Sequence, residues 1–593
     1  MIFSLPAFSI FFVGALLLLH SRGRVHKYLF IMIPVVAFFS VLNAPEGVSY
    51  YYNFLGLELK GVFIDKLSKV WGYIFAIMAF SGAIFAYHND DHKENVWTTL
   101  YVGSSYGVIF AGNLLTLFIF WELMAIFSTM IIFGRKTEAA KGAGFRYLLV
   151  HAFGGQLLFA GIVLYFYQTG KLDFGYIGLN NLATLLIMLG FAINAAIPPF
   201  SAWLSDSYPE STVTGTVFLS AFTSKTAVYV LARGFPGESI LMYAGAIMTV
   251  YGIIYAILEN DMRRVLSYSI INQVGFMITG VGLGTQMAIN GAAAHAFAHI
   301  LYKALLMMGA GAVLFRTGIS KTSQLGGLYK TMPLTLLFSC VGAAAISSFP
   351  LTSGFTTKSL IIAASVQEHK SIIYHILLLA SAGVFLHAGI KFPYFVFFHK
   401  DSGLRPKEAP FNMLLAMGFV SFLCIFLGIY PDILYKILPY PVDYVPYTPS
   451  HVLLQMQILM FSAAAFFFML PMLKRTETIT LDTDWFYRKG ATYMVKFIDK
   501  YIVKYGQSFK EFIFVKATQK LSMLLSNPSG LTKVLYNLIY YKVFEDDKDK
   551  YQENLEKLRN IRSVKTNIRV GDSLLWVMIF LFFYLLVYYI SKV

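Results

Sequence analysis

Charged residues are scarce in this chain. Only 13% of its 593 residues are charged, whereas 57% are hydrophobic, and the mean hydropathy is +0.64. A soluble globular chain carries about 25% charged residues. Apolar stretches of roughly 18 to 25 residues recur from end to end, and each is long enough to cross about 30 Å of hydrocarbon. The composition excludes a soluble protein and indicates an integral membrane protein.

The sequence also lacks the motifs of redox and metal chemistry. Its two cysteines, Cys340 and Cys424, both lie in apolar runs, so they predict neither a disulfide framework nor a metal site. There is no CxxC pair and no GxGxxG loop before a helix. We therefore expect the chain to bind no cofactor and no metal of its own.

The net charge of +16 comes largely from short loops. Basic segments such as SRGRVHK and GRKTEAAKGAGFR fall in alternate loops, which is the pattern of a membrane protein with basic cytoplasmic loops. This pattern predicts no nucleic-acid partner. It places the N-terminus outside the cell and the basic loops in the cytoplasm.

Two of the predicted transmembrane segments contain helix-breaking residues. We predict an all-α integral membrane fold of about sixteen transmembrane helices. The segments near 181–198 and 332–364 are interrupted by AAIPPF and SSFPLTSG. Carbonyls released by Pro and Gly at membrane depth must be satisfied by protein or a wet cavity. Each break alone could be a packing kink, but breaks at matching positions of two halves predict an inverted-repeat core.

Composition divides the chain into six regions. Beyond residue 475, apolar residues recur at three- and four-residue spacing beside a basic face, which predicts a helix in the membrane interface. A small cytoplasmic domain is the alternative for that region. The predicted regions are N-terminal helices (1–96), a first repeat (97–235), a second repeat (236–400), C-terminal helices (401–475), a lateral amphipathic helix segment on the cytoplasmic side (476–571) and a final transmembrane anchor (572–593).

Ionisable residues within the spans form an ordered series. Glu122 lies in the apolar run LFIFWELMAIF. A carboxylate at membrane depth is costly unless it is paired or protonated, so it indicates a functional site. The basic members of the series are Lys225, His295, His299, Lys303, Lys358, His387 and Lys391.

His295, His299 and Lys303 are spaced i, i+4, i+8. On an α-helix this spacing places them on one face, about 6 Å apart along the axis. A proton crosses hydrocarbon only through titratable groups, and histidine titrates near neutral pH. Lysine is a poor metal ligand and no carboxylate or cysteine is near, so we predict a proton relay here. Lys391 and His387 lie nearer the end of their span, where they could instead reach the interface.

Several long motifs resemble a known superfamily. FIFWELM, PPFSAWLSDSYPESTVTGTVFLSAFTSK, DMRRVLSYSIINQVGFM and HAFAHILYKALL follow one another within residues 60–400. They resemble the antiporter-like subunits of respiratory complex I, of Mrp-type cation/proton antiporters and of membrane-bound hydrogenases, and the D-type antiporter subunits above all. The resemblance implies a bacterial plasma membrane location, hydrophobic membrane subunits and the lipid bilayer as partners, and H⁺ or possibly Na⁺ as the transported ion.

The resemblance also implies a role for each residue. Glu122 would be the carboxylate near the cytoplasmic entry, and Lys225 would link the two halves. His295, His299 and Lys303 would form the central relay. Lys358 would serve the exit, and Lys391 is included in the same relay.

Asn194 departs from the pattern of the superfamily. In the family, a lysine on the broken seventh helix pairs with the carboxylate, whereas this chain has Asn194 in INAAIPPF. Asparagine cannot carry the compensating charge. Three outcomes are open: Lys225 replaces the missing partner, Glu122 works in its protonated form, or the chain does not pump.

Three functions compete at this point. The leading one is a proton- or cation-translocating subunit of a multisubunit complex, which is either an Mrp-type antiporter or a redox-driven pump of the complex I or hydrogenase type. The second is a membrane scaffold with relic charges. The third is a self-sufficient transporter of an organic solute, whose unwound glycine-rich ligand site is not evident.

Overall fold

The computed structural model describes residues 6–54, 56–471, 482–483, 485–545, 547–561, 564, 577–585 and 588. The chain divides into two compact units, residues 1–485 and residues 486–593. Most of the predicted final anchor (572–593) lies outside the described residues; residues 577–585 are helical.

α-Helices make up most of the first unit. In chain order they are α1 (Ala7–His20), α2 (Gly23–Asn43), α3 (Lys66–Phe85), α4 (His92–Ile109), α5 (Leu114–Phe133), α6 (Glu138–Thr169), α7 (Leu182–Asn194), α8 (Ala202–Ser207), α9 (Val213–Leu219), α10 (Thr223–Gly234), α11 (Ser239–Leu258), α12 (Met262–Leu283), α13 (Gln286–Thr317), α14 (Pro333–Ile346), α15 (Ser353–Gln367), α16 (Ser371–Val384), α17 (Phe411–Ile429), α18 (Asp432–Tyr435) and α19 (Pro449–Phe468). Among the described residues, 11 helical stretches are long and apolar enough to cross a membrane, and α1, α7 and α14 are shorter apolar helices. The helical membrane fold is confirmed, and the total of sixteen spans stays a prediction.

A β-hairpin interrupts the all-α prediction. Strands β1 (Gly47–Phe54) and β2 (Leu57–Ile64) pair antiparallel between α2 and α3. The turn contains Gly56 at φ 80°, a conformation that favours glycine. The strands are rich in tyrosine, valine and isoleucine, which suit a pleated surface. A segment this short between two spans is easily taken for a loop unless its strand propensity is weighed.

Both predicted helix breaks are confirmed. α7 ends at Asn194 and the chain resumes a helix only at Ala202, while α14 ends at Ile346 and α15 begins at Ser353. Residues within the breaks adopt positive φ angles, which only a helix interruption accommodates: Ala196 at 60°, Ser348 at 57° and Leu351 at 68°.

Two further irregularities were not predicted. α9 and α10 form one membrane-crossing stretch that is interrupted at residues 220–222. α16 continues into the π-helical segments Phe385–Lys391 and Tyr394–Phe398. Neither the interruption at 220–222 nor the start of the first π-helical segment has a local Pro, the usual sequence signal of a break.

The helices that carry the polar series lie at the centre of the first unit. The apolar windows of α12 and of α9–α10 are completely buried, and that of α13 is 94% buried, compared with 22% for α19. Side chains on the central helices therefore face protein on all sides. The relay residues on these helices, Lys225, His295, His299 and Lys303, are therefore enclosed by protein.

The second unit is helical and largely exposed. α20 (Ala491–Phe497), α21 (Lys504–Lys510) and α22 (Thr518–Leu525) alternate with π-helical segments. α23 (Pro528–Val543) and α24 (Lys548–Arg559) form a hairpin around Val534 and Leu538. The chain breaks between α22 and α23, where Asn527 caps α23 by accepting a hydrogen bond from the Gly530 N–H (2.9 Å).

A buried ion pair anchors the second half of the broken seventh helix. Arg146 on α6 donates twice to Asp206 on α8, at 2.7 and 2.9 Å. The Asp206 side chain is 3% exposed and that of Arg146 is 27% exposed. Removal of one partner from such a pair leaves an uncompensated charge. The pair therefore fixes α8 to α6.

We expect Asp206→Asn to lower the free energy of unfolding by about 2–3 kcal/mol, because Arg146 loses its counter-charge. The measurement is the midpoint of thermal unfolding in detergent. The matched control is Asp173→Asn, since Asp173 pairs with Lys60 at 2.8 Å on the surface with 58% of its side chain exposed. Exposed pairs contribute little, so equal effects of the two substitutions would contradict the anchoring role.

Candidate functional site

α13 carries the centre of the site. It begins after Thr285, whose hydroxyl accepts a backbone N–H one turn later, and it ends at Gly318 with φ 72°. A threonine N-cap and a left-handed glycine are strong helix-end signals. His295, His299 and Lys303 lie between them and are completely buried. The sequence placed these three residues on one helix correctly.

His295 is held by two neighbouring helices. Its Nδ1 lies 3.2 Å from Thr357 Oγ1 on α15, and its Nε2 lies 3.1 Å from Gln273 Oε1 on α12. The Tyr302 hydroxyl donates to the same Gln273 oxygen (3.0 Å) and lies 3.2 Å from His295 Nε2. Gln273 in turn donates to Asn272 Oδ1. His295 therefore belongs to a buried hydrogen-bond network whose neutral members the sequence did not reveal.

His299 has a different environment. Neither ring nitrogen has a hydrogen-bond partner within the described part of the chain. Its ring centroid lies 6.3 Å from that of His295 and 5.3 Å from that of Tyr302. Lys225 and Lys303 both lie close enough to act on it electrostatically. A buried polar group without a partner is rare, and this one lies within electrostatic range of two lysines.

Lys225 and Lys358 bind carbonyls that helix breaks release. Lys225 Nζ donates to Ser220 O, at the end of α9, over 2.6 Å, and it also contacts Ser224 Oγ at 3.2 Å. Lys358 Nζ donates to Ile346 O, the last residue of α14, over 3.0 Å. Each ammonium group thus satisfies a backbone oxygen that has no helical N–H.

Lys303 rests on α12 without touching an acid. Its Nζ donates to Ser269 Oγ at 2.9 Å and lies 3.4 Å from Leu266 O. Among the residues that the structure describes, no carboxylate lies within ion-pair distance of Lys225, Lys303 or Lys358. The hydrogen bonds of these three lysines therefore go to neutral oxygens, and Lys358 also lies over the Phe276 ring at 5.0 Å.

Lys391 lies inside the protein. It is 2% exposed, and its Nζ donates to the carbonyls of Ala256 (2.5 Å), Ile257 (2.7 Å) and Glu259 (2.8 Å) at the end of α11. His387, one turn earlier, is buried and its Nδ1 lies 2.8 Å from Gly383 O. This burial decides against the alternative that Lys391 and His387 only reach toward the membrane surface.

Glu122 stands apart from the basic series. It lies on α5, and its Oε1 is buried and has no hydrogen-bond partner in the described ranges. The carboxylate lies against Gly155 on α6, so closely that a Cβ at this glycine would collide with Oε1. Lys225 bonds instead to Ser220 and Ser224, so it does not replace the missing partner by direct contact.

Asn194 ends α7 and is completely buried. Neither its Oδ1 nor its Nδ2 has a hydrogen-bond partner among the described residues. The neighbouring Ile193 packs 3.2 Å from the Cβ position of Gly154, the residue before Gly155. Asn194 and Glu122 therefore both flank the same turn of α6.

His151 is a polar residue of this region that the sequence did not single out. Its ring stacks on Tyr147 at 3.9 Å and meets Trp203 edge-on at 4.5 Å. Its Nδ1 lies 2.9 Å from Tyr147 O, and its Nε2 has no partner in the described part. His151 lies one helical turn before Gly155, which seats Glu122.

Thr223 links α4 to the helix that carries Lys225. Its Oγ1 lies 2.7 Å from the Tyr101 hydroxyl on α4. Thr223 begins α10, two residues before Lys225. A polar contact from α4 thus reaches the start of the helix that carries the first lysine of the basic series.

The donor set of the site favours proton exchange. Lysine, histidine, tyrosine and threonine side chains supply it, and all can give or receive protons or hydrogen bonds. In the described ranges, no group of three or more His, Cys, Asp or Glu side chains is arranged to hold a metal ion.

Residues 111–385 match the family described as NADH:quinone oxidoreductase/Mrp antiporter, TM. The chain is 30% identical over 284 residues to the D-type subunit of the Na⁺/H⁺ antiporter of Alkalihalophilus pseudofirmus. That alignment covers 44% of this chain and 57% of the antiporter protein. The chain thus spans little more than half the length of this relative.

Two solved structures share the fold. The Mrp complex from Dietzia sp. DQ12-45-1b contains a chain that matches with a TM-score of 0.66 and 18% identity, covering 78% of this chain and 99% of that one. The membrane-bound sulfane sulfur reductase, an archaeal respiratory membrane complex, contains a chain with a TM-score of 0.68 and 20% identity, covering 94% and 99%. The matched family and the related antiporter protein make the chain similar to antiporter-like membrane subunits, and the two solved structures share its fold.

Proposed function

We propose that the chain conducts protons across the membrane as one subunit of a larger complex. One observation carries this proposal: a series of buried lysines and histidines runs through the interior of the first unit, and no described carboxylate pairs with Lys225, Lys303 or Lys358. Lys225, His299, Lys303 and Lys358 influence one another electrostatically. A series of titratable groups inside hydrocarbon marks an ion pathway.

The mechanism rests on repulsion within the basic series. In a low-dielectric interior, a proton on one lysine strongly disfavours a proton on its neighbour. Carbonyl and hydroxyl oxygens bind each lysine but do not fix its charge. A carboxylate partner would hold the lysine in its protonated form. A proton that arrives at Lys225 therefore favours transfer through His299 toward Lys303, and His295 and Lys358 continue the series.

Glu122 supplies the negative charge in this mechanism. With Asn194 in place of a lysine, no cation on α7 fixes its charge state, and its unpartnered Oε1 can gain or lose a proton. Its proton exchange would act on the basic series through the field of its charge. We propose that Glu122 couples the series to neighbouring subunits.

The architecture supports the proposed repeats and orientation. The breaks fall in the fourth predicted span of each repeat, 97–235 and 236–400. Loops predicted on the basic side contact one another: Lys27 pairs with Asp90 at 2.7 Å, and Lys136 pairs with Asp91 at 3.1 Å. We propose that this end faces the cytoplasm of a bacterium and that the N-terminus lies outside. In this orientation the lateral segment 476–571 lies on the cytoplasmic side, and residues 572–593 form the final membrane anchor.

The parent complex is the open part of the proposal. Similarity to a protein of an Na⁺/H⁺ antiporter favours a gradient-driven exchanger. The shared fold of a respiratory complex favours a redox-driven pump. A non-pumping scaffold is the alternative from another class, and the uncharged Asn194 is the observation in its favour.

We expect Glu122→Gln, Lys225→Ala and Lys358→Ala each to abolish coupled transport, because each removes a proton-exchanging group from the series. Transport is measured with a pH-sensitive dye in vesicles that contain the complex. Lys141→Ala is the control, since this lysine is 59% exposed and pairs only with Glu138 nearby. Normal transport in all three variants would favour the scaffold.

The packing of the Glu122 carboxylate against Gly155 can be tested by adding a methyl group at position 155. We expect Gly155→Ala to displace the carboxylate and to impair transport, because the added Cβ would overlap Oε1. Gly142→Ala on the same helix is the control, as its Cβ would meet only the flexible Arg146 side chain at 3.2 Å. The double variant Gly155→Ala, Glu122→Asp shortens the acid and should recover part of the activity; no recovery would show that Gly155 acts by another means.

Co-purification separates the two kinds of parent complex. A tagged chain is extracted in mild detergent and its partners are identified by mass spectrometry. Iron–sulfur or flavin subunits would identify a redox-driven pump. Small hydrophobic partners with a second large antiporter-like chain would identify a gradient-driven exchanger, and an isolated monomer would contradict membership of a complex.

A further inference from the structure

A second carboxylate is buried near the basic end of the first unit. Glu94 lies in the first turn of α4 and is 5% exposed. Its Oε1 accepts hydrogen bonds from the hydroxyls of Thr212 (2.7 Å) and Thr214, and its Oε2 accepts one from Asn89 Nδ2 (3.0 Å). Among the described residues it has no ion-pair partner. A carboxylate held by neutral donors keeps its capacity to bind a proton.

Glu94 lies beside two clefts at the end that carries the basic loops. One cleft of about 710 Å³ contains Glu94 together with Trp97 and Lys136. The other, of about 640 Å³, contains Glu94 together with His88 and Thr214. Clefts of this size admit water, so the buried carboxylate is within reach of solvent from one side of the membrane.

A line of hydroxyl groups leads from Glu94 toward Lys225. Glu94, Thr98 and Tyr101 are spaced i, i+4, i+7 on α4, which places them on one face over about 10 Å. All three are buried. The Tyr101 hydroxyl lies 2.7 Å from Thr223 Oγ1 and accepts a hydrogen bond from the Thr223 N–H at 3.0 Å.

The line ends at the first lysine of the basic series. Thr223 is followed by Ser224, whose Oγ lies 3.2 Å from Lys225 Nζ. Each hydroxyl can donate on one side and accept on the other. Direct hydrogen bonds join Tyr101 to Thr223 and Ser224 to Lys225, while Glu94 and Thr98 share one face of α4 with Tyr101.

We infer that Glu94 is a proton-uptake residue, which takes protons from the clefts and delivers them along this line to Lys225. The inference rests on the proposed function. Glu94 receives a proton from water in a cleft, and a proton leaves the far end of the line for the neutral Lys225 amine. Every hydroxyl between them gives one proton and receives one, so only a proton has moved. Glu122 then couples the series to its neighbours without lying on the uptake route.

The test compares proton uptake by the complex carrying Glu94→Gln with that of the unmodified complex. The tagged chain is purified with its partners and reconstituted in vesicles with an internal pH-sensitive dye, and a potassium diffusion potential set by valinomycin drives the flux. Glutamine retains an oxygen that can accept the Thr212 and Thr214 hydroxyls, so the fold is kept. We expect uptake to slow about tenfold or more, in line with the loss of a positioned proton-transfer group.

Two further variants make the test specific. Tyr101→Phe removes one hydroxyl from the line, and we expect about the same slowing, with no additional loss when it is combined with Glu94→Gln. Glu138→Gln is the matched control, because this glutamate is 88% exposed at the same end and should leave uptake unchanged.

The outcomes separate this inference from the proposed function. Unmodified rates in Glu94→Gln or Tyr101→Phe, with Glu122→Gln and Lys225→Ala inactive, would overturn the uptake route and leave proton conduction standing. Unmodified rates in Glu122→Gln and Lys225→Ala as well would overturn both.

Discussion

The bond between a buried lysine and a released backbone carbonyl is the interaction on which the interior depends. A helix that stops inside a membrane leaves oxygens without donors, and an ammonium group inside hydrocarbon needs acceptors. Lys225 and Ser220 meet both needs at one break, and Lys358 and Ile346 do so at another. Without these bonds neither the interrupted helices nor the buried charges would be stable. The buried lysines and the helix breaks therefore depend on each other.

The sequence predicted those features that leave a local signal. The breaks near 195–201 and 347–352 contain Pro, and the spacing of the two histidines and Lys303 placed them on one helix. The break at 220–222 contains no Pro or Gly. It is stabilised instead by Lys225, whose side chain donates a hydrogen bond to the carbonyl of Ser220. Only the folded chain brings that donor to its carbonyl. The β-hairpin was missed for a similar reason, since its short strands are fixed by pairing with each other.

The neutral part of the site was beyond sequence reasoning. Charges at membrane depth are rare and draw attention, whereas Gln273, Tyr302 and Thr223 are ordinary residues until three helices bring them together. His151 was overlooked because it is a lone histidine in a long apolar helix. Asn194 was noticed, and its buried, unpartnered amide agrees with a site whose usual cation is missing. Contacts between residues of different helices depend on how the helices pack, and the spacing of residues in the sequence does not predict them.

The ligands of the buried lysines have one property that side-chain ligands lack. A backbone carbonyl is the same for every amino acid, so substitution cannot remove it; only movement of the half-helix can change its distance from the ammonium group. The stability of charge at Lys225 and Lys358 is thus set by the mechanical position of α9 and α14. A neighbouring protein that pushes on either half-helix can alter an electrical state deep in the bilayer without touching any ionisable group. Displacement of a broken helix thus changes how strongly the positive charge on its lysine is stabilised.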